Sequence, residues 1–377
     1  MPYCRQPFVN IRIDSGSMPQ FRPCCHYKIN FDVDNVDAYL IHPELTKLQE
    51  NMADGNDFLP GCFACKSQEA KGQQSWRQFY NLNYQPVCDP KIKELEIFTN
   101  NTCNLKCLMC DPAYSTALGA ERKKLGWIDS YESWDFSQTA IETIEKLQDL
   151  ESISLIGGEF FLSKNCLDIL DIAVKKKLTL RVITNATVLT QKHIQYLQKI
   201  SSLDMQISLD GINHSYDFLR YPAKWKDVSN HVISLKKILP RQNIHVNTVV
   251  QVLNFENLPL QLDWCNKIML PVRLTNLQLP RWLEWRILNP REKNTLIETV
   301  KHQIDKVNLT LSQKQSFEAF FQTIHRSEFD PLVRADFVSR LSQTMTVREI
   351  SQSIVCNNLG CLKDLADEVT QKMNDRQ

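Results

Sequence analysis

The chain has 377 residues, enough for two domains of ordinary size, and its 44 Lys and Arg against 43 Asp and Glu leave a formal net charge of +1. That balance excludes the global positive field that gathers nucleic acid or anionic membrane, and no apolar run approaches the ~20 residues that cross a bilayer. The opening Met1-Pro2-Tyr3-Cys4-Arg5 lacks the basic-then-apolar form of a secretory signal, so the expectation is a soluble, cytoplasmic protein.

The first ninety residues lack sustained helical or strand periodicity and are rich in Pro, Gly, Asn and Cys, as in Arg22-Pro23-Cys24-Cys25 and Leu59-Pro60-Gly61-Cys62. Such a segment is expected to be held together by a metal rather than by a large core. A boundary falls at 85–90, where Pro86 and Pro90 bracket Cys88. From Lys93 short apolar runs alternate with amphipathic helical stretches, the mark of repeated βα units on a parallel sheet. The pattern predicts strands at 94–98, 152–156, 179–183, 204–208, 245–250 and 272–277. Helices are predicted at 139–147, 166–176, 191–199, 228–239 and 258–267. Six such units make an α/β fold of the partial (βα)6 TIM-like kind, open on one side. After Pro280 the pattern is mainly helical, at 290–307, 314–325 and again near the end. The division is therefore 1–90, a cysteine-rich module; 91–280, the partial barrel; and 281–377, a helical C-terminal extension.

Thirteen cysteines are many for a cytoplasmic enzyme, and the cytosol does not favour structural disulfides. Metal binding explains them better, because most fall in two tight groups while Cys166, Cys265, Cys356 and Cys361 are scattered. Soft thiolates at short loop spacing suit zinc or iron-sulfur clusters. In parallel α/β folds reactive groups gather at the carboxyl ends of strands. Here Cys103, Cys107 and Cys110 follow the first predicted strand, Gly157-Gly158-Glu159 the second and Thr184-Asn185 the third. Ser208-Leu209-Asp210-Gly211 ends the fourth, Asn254 follows the fifth, and Asn276 and Gln278 follow the sixth. All fall on one rim.

Three cysteines at C-x3-C-x2-C spacing can ligate three corners of a [4Fe-4S] cluster and leave the fourth iron open. In this spacing and position the sequence resembles the radical SAM superfamily. The resemblance implies that S-adenosylmethionine chelates the open iron and is reductively cleaved to a 5′-deoxyadenosyl radical, which abstracts hydrogen from a substrate. The other reading of the loop is a zinc site, but structural zinc takes four protein ligands, and the nearest spare cysteine, Cys88, precedes the strand. Gly157-Gly158-Glu159 resembles the family's GGE motif, with Gly158 and Glu159 as cofactor contacts and Phe160 where the family usually has proline. Thr184-Asn185 and Ser208 to Gly211 resemble its TNG and S-x-DG segments, which implies cofactor binding by Asn185, Ser208 and Asp210. Each could instead cap a helix or end a strand. Met109 takes the place that is often aromatic in the family and would pack near the adenine. Arg220, in the stretch from Tyr216 to Trp225, could pair bidentately with a carboxylate of cofactor or substrate, or lie on the surface over Trp225.

The first module carries C-x2-P at Cys4, Pro-Cys-Cys at Cys24 and Cys25, and C-x2-C at Cys62 and Cys65. These resemble the auxiliary-cluster module of SPASM and twitch radical SAM proteins, here placed before the barrel. The resemblance implies one auxiliary [4Fe-4S] cluster on Cys4, Cys24, Cys62 and Cys65. Cys25 could replace Cys24, Cys88 could contribute, and a structural zinc knot is the competing reading. The expected partners are a peptide or protein substrate and an electron donor such as flavodoxin or ferredoxin. Alternatives are oxidation or rearrangement of a small metabolite such as a sugar or nucleotide derivative, and a non-catalytic metal-stabilised binding protein. Cys356 and Cys361 are either hydrogen donors on a loop over the open side or small buried apolar groups. No motif names a catalytic residue.

Overall fold

The computed structural model describes residues 3–55, 58–87 and 89–375, and its frame is one eight-stranded sheet. The strands are β1 (Asn10–Asp14), β2 (Gln20–Arg22), β3 (Glu94–Phe98), β4 (Ser152–Ile156), β5 (Thr179–Thr184), β6 (Ser202–Ser208), β7 (Asn243–Val250) and β8 (Val272–Asn276). Their order is β2-β1-β3-β4-β5-β6-β7-β8; β1 and β2 run antiparallel, and every other neighbouring pair is parallel. Alternation builds the strands. In β6, Leu203, Met205 and Ile207 turn into the core while Ser202, Asp204 and Gln206 do not.

Between β3 and β8 the connections carry helices, as parallel pairing requires. Helices Ser137–Lys146, Cys166–Lys175, Gln191–Lys199 and Trp225–Ile238 bury Ile144, Ile169, Leu197 and Val232 against the sheet. Gln191–Lys199 starts at a capping box between Thr190 and His193. Because β3 to β8 all point the same way, their following loops meet on one edge. That edge holds the site.

The six strands expected from periodicity are present, with ends within two residues of the expected ones. The first ninety residues differ from the expectation, for they contain β1, β2 and helices such as Pro43–Ala53, Phe63–Ala70 and Trp76–Asn83. Ile11, Ile13, Tyr39 and Leu48 are buried in the same apolar cluster as Leu95, Ile97, Ile153 and Ile207. A shared core therefore supports this segment. Charge hid β1 in the sequence, since Arg12 and Asp14 are buried polar residues inside a five-residue strand. Tertiary partners balance them: Arg12 pairs with Glu96 and, at 3.2 Å, with Asp14, which also pairs with Arg22 at 3.0 Å.

The C-terminal part is helical, with Pro290–Ile304, Leu311–Arg326, Pro331–Val347, Gln352–Leu359 and Lys363–Asn374 around a second apolar cluster. Phe255 sits at its centre among the rings of Trp285, Phe317, Phe320 and Phe321. Among the described residues no helix is long and apolar enough to cross a membrane. One link from this part reaches the site. Arg348 donates to both carboxylate oxygens of Glu121, at 2.9 and 2.7 Å, and to the carbonyl of Lys106 at 2.5 Å, with both side chains 1% exposed.

Candidate metal and cofactor site

Cys103, Cys107 and Cys110 line one cavity of about 560 Å³ at the carboxyl ends of the parallel strands. Met109, Gly158, Asn185, Ser208 and Arg220 line it too, so five of the seven expected cofactor contacts face the same space as the thiols. A volume of this size is ordinary for a ligand pocket.

Close backbone packing makes the cavity possible. Gly158 donates its N–H to the carbonyl of Asn100 at 2.7 Å, and Glu159 donates to that of Thr102 at 2.9 Å. A Cβ on Gly158 would stand 2.6 Å from the Thr102 carbonyl oxygen, so only glycine lets the turn after β4 lie under the cysteine loop. On the other side, Lys106 and Leu108 donate to the carbonyls of Tyr221 and Leu219 at 2.7 and 3.0 Å. The loop is thus gripped from β4 and from the segment after β6.

Burial pushes the Cys103 thiol up to about 12, with the neighbouring Cys107 adding to the rise. Cys107 and Cys110 are raised for the same first reason, while Arg220 pulls all three the other way. Thiols so placed keep their protons at neutral pH unless a cation takes the protons' place. Among the described residues no three His, Cys, Asp or Glu side chains converge tightly enough for a lone metal ion. The three thiols line one cavity, and soft donors at one cavity suit a cluster with several metal corners. Among the described residues three cysteines and no fourth line that cavity.

Two side chains aim nitrogen at the sulfurs. Asn185 Nδ2 lies 3.9 Å from Cys103 Sγ, and Arg220 Nη1 lies 3.9 Å from Cys107 Sγ. The remaining two expected contacts, Glu159 and Asp210, are fully buried behind the wall. Glu159 accepts from the Thr184 hydroxyl at 2.9 Å and from the Asn185 and Phe161 amides at 2.7 and 3.3 Å, which holds the turn that presents Asn185. Desolvation pushes its carboxyl up to about 7 despite those donors. Asp210 binds Arg220 through Nε at 2.7 Å and Nη2 at 2.6 Å.

Residues 97–259, from β3 into the helix Leu258–Lys267, match the radical SAM superfamily. This segment is a radical SAM superfamily domain. Among curated proteins nothing matches the chain. Among solved structures, Streptococcus suis SuiB bound to S-adenosylmethionine is 15% identical over 65% of this chain and 52% of its own, with a TM-score of 0.40. The anSMEcpe structure with bound AdoMet and Kp18Cys peptide is 14% identical over 55% and 58%, with a TM-score of 0.39. A TYW1 structure with a lysine-pyruvate adduct is 13% identical over 71% and 90%, with a TM-score of 0.34. The matched stretch spans about half the length of SuiB. Likenesses this distant say nothing of substrate.

Outside the radical SAM domain, the N-terminal cysteines also gather. Cys4, raised to about 12 by burial, feels Cys62 and Cys65, and Cys24 feels Cys4 and Cys25. Cys4, Cys24 and Cys62 pack against the main apolar cluster, and Cys65 is buried. Cys25 is raised to about 11 by burial, then by Glu96. Cys88 lies outside the described residues. Of the scattered cysteines, Cys166 is buried with its sulfur 3.5 Å from His193 Nε2, Cys265 is buried, Cys361 packs beside the second apolar cluster, and Cys356 is exposed.

Sequence reasoning missed Asp111, Tyr114 and Leu279, which line the cavity of the radical SAM domain. Asp111 and Tyr114 had a local signal, the Asp-Pro pair after Cys110, where Asp111 accepts from the Ala113 amide at 2.8 Å and starts a short helical turn. Nothing in the sequence could announce Arg348, which reaches Lys106 from 242 residues away.

Proposed function

We propose that Cys103, Cys107 and Cys110 hold three irons of a [4Fe-4S] cluster. At that cluster the chain reductively cleaves S-adenosylmethionine and abstracts hydrogen from a peptide or protein. The reading is carried by one observation: the three thiols share their cavity with Gly158, Asn185, Ser208 and Arg220 and, among the described residues, with no fourth cysteine. An iron is then left for the amine and carboxylate of S-adenosylmethionine. When bound, the cluster supplies the electron that breaks a carbon–sulfur bond and so gives a radical able to take hydrogen from an unactivated carbon.

The protein's share is positioning and exclusion of water. Gly158 lets the ligand approach the backbone, Asn185 and Ser208 offer polar contacts, and Met109, Leu105 and Leu279 supply apolar wall. In this reading 91–280 is a partial (βα)6 barrel, 1–90 a SPASM/twitch-like module docked on its first strand, and 281–377 the helical extension. Cys4, Cys24, Cys62 and Cys65 close an auxiliary [4Fe-4S] cluster, and flavodoxin or ferredoxin delivers the electron. A peptide is favoured over a phosphorylated metabolite by charge. A second cavity of about 510 Å³ adjoins the first across Asp111 and Ala113, and among the described residues the only cation lining either is Arg220, already paired with Asp210. Phosphate recognition calls for more positive charge than that.

The test is anaerobic reconstitution followed by iron and sulfide analysis, then reduction with S-adenosylmethionine present. About eight irons per chain fit two clusters, whereas about four irons with one zinc remove the auxiliary cluster. Reduced, loaded protein that forms no 5′-deoxyadenosine leaves only a metal-stabilised binding protein.

A further inference from the structure

We infer that the Asp210–Arg220 pair sets the reduction potential of the cluster, by holding the positive end of a buried ion pair against Cys107. The inference rests on the cluster reading above. Arg220 spends Nε and Nη2 on one oxygen of Asp210, at 2.7 and 2.6 Å, and turns the remaining Nη1 to Cys107 Sγ at 3.9 Å. Asp210 cannot follow a moving partner, because its other oxygen accepts the Val249 amide at 2.7 Å and Asn254 Nδ2 donates to its carbonyl at 3.2 Å. Arg220 is fixed relative to the sulfur as well. Its neighbours Leu219 and Tyr221 accept the amides of Leu108 and Lys106, on either side of Cys107. Both residues are buried, Asp210 at 0% and Arg220 at 9% exposure.

A guanidinium whose fork is already occupied is poorly placed to clamp a ligand carboxylate as well. What it offers is an N–H and a positive charge beside a cluster ligand. Both stabilise the reduced, more negative cluster and raise its potential, and burial strengthens them. The charge acts on all three thiols, but the direct contact is to Cys107. The donors at Cys103 are neutral, the Leu105 backbone N–H at 3.5 Å and the Asn185 amide at 3.9 Å, and Cys110 Sγ faces the carbonyl of Asp111 at 3.6 Å. The ion pair also gives the two residues opposite signs: removing Arg220 deletes the positive end, whereas neutralising Asp210 leaves that end less balanced.

The experiment is an EPR-monitored redox titration of the reconstituted full chain without S-adenosylmethionine, for wild type, Arg220→Gln, Arg220→Lys and Asp210→Asn. Arg220→Gln is expected to lower the midpoint by at least a tenfold change in the reduction equilibrium, about 59 mV for one electron. Arg220→Lys should stay nearer to wild type, and Asp210→Asn should rise. Potentials that do not move, or that move the same way in the Gln and Asn variants, overturn the inference. Should Arg220→Gln fail to load iron, Asp210→Asn decides alone: a rise supports the inference, and no change or a fall removes it. Wild-type protein that binds no cluster removes the underlying reading instead, which separates the two failures.

Discussion

The chain's two groups of cysteines are alike in acidity and unlike in access. Burial pushes both Cys4 and Cys103 up to about 12, and each group has an arginine nearby, Arg77 for Cys4 and Arg220 for Cys103. Yet Cys103, Cys107 and Cys110 face an open cavity with glycine backbone and polar side chains around it, whereas Cys4, Cys24 and Cys62 press on the apolar core. The acidity of a thiol therefore does not tell an open site from a closed one; room for a further ligand does.

The largest effect that sharpens this contrast is expected from Cys107→Ala, which should abolish 5′-deoxyadenosine formation and remove about four irons per chain. Cys65→Ala should cost a similar amount of iron while S-adenosylmethionine cleavage persists. Equal loss of cleavage in both variants would break the comparison. Next is the long-range anchor on the cysteine loop of the open group. Arg348→Ala leaves the buried Glu121 with the distant Lys106 ammonium, at 3.9 Å, for a partner and should destabilise the protein by about 3 kcal/mol in urea denaturation. An unchanged midpoint would show that the helical part does not brace the cysteine loop.

Glu159 tests the buried floor of the same site through pH. Its folded carboxyl lies at about 7 against an ordinary 4.5, so the fold favours the protonated form. The resulting stability is full below about 4.5 and is lost as pH rises through about 7, by an order-of-magnitude ~3 kcal/mol. The measurement is the stability of wild type minus that of Glu159→Gln at several pH values; a difference that stays flat across this window contradicts the assignment. The smallest effect is expected at Cys361, packed beside the helical core and not part of the thiol cavity's lining. Product formation by Cys361→Ala should match wild type, and altered product would restore the hydrogen-donor idea.

Much of the central frame was legible because its rules are local. Strands β3 to β8 declare themselves through short apolar or alternating runs, and Gln191–Lys199 matches its expected span because Thr190 caps it. The N-terminal strands were not legible. Arg12 and Asp14 break the alternation of β1, and the partners that make them tolerable inside, Glu96 and Arg22, come from other strands. Likewise the residue types of Glu159 and Asp210 pointed to the site, but not to their places behind its wall, where they hold the Thr184–Asn185 turn and Arg220.

By itself the amino-acid sequence determined the candidate residues and their place at one edge of the sheet: three cysteines at close spacing, followed at each strand end by glycine or a small polar residue. Spacing along a loop and the period of a strand are properties of neighbouring residues, so they survive without the fold. Only the tertiary structure decided which of these groups face the cavity, which stand behind it, and that Arg348 closes the loop from the far end of the chain. Those outcomes depend on contacts between distant segments, whose cost and gain no local pattern records.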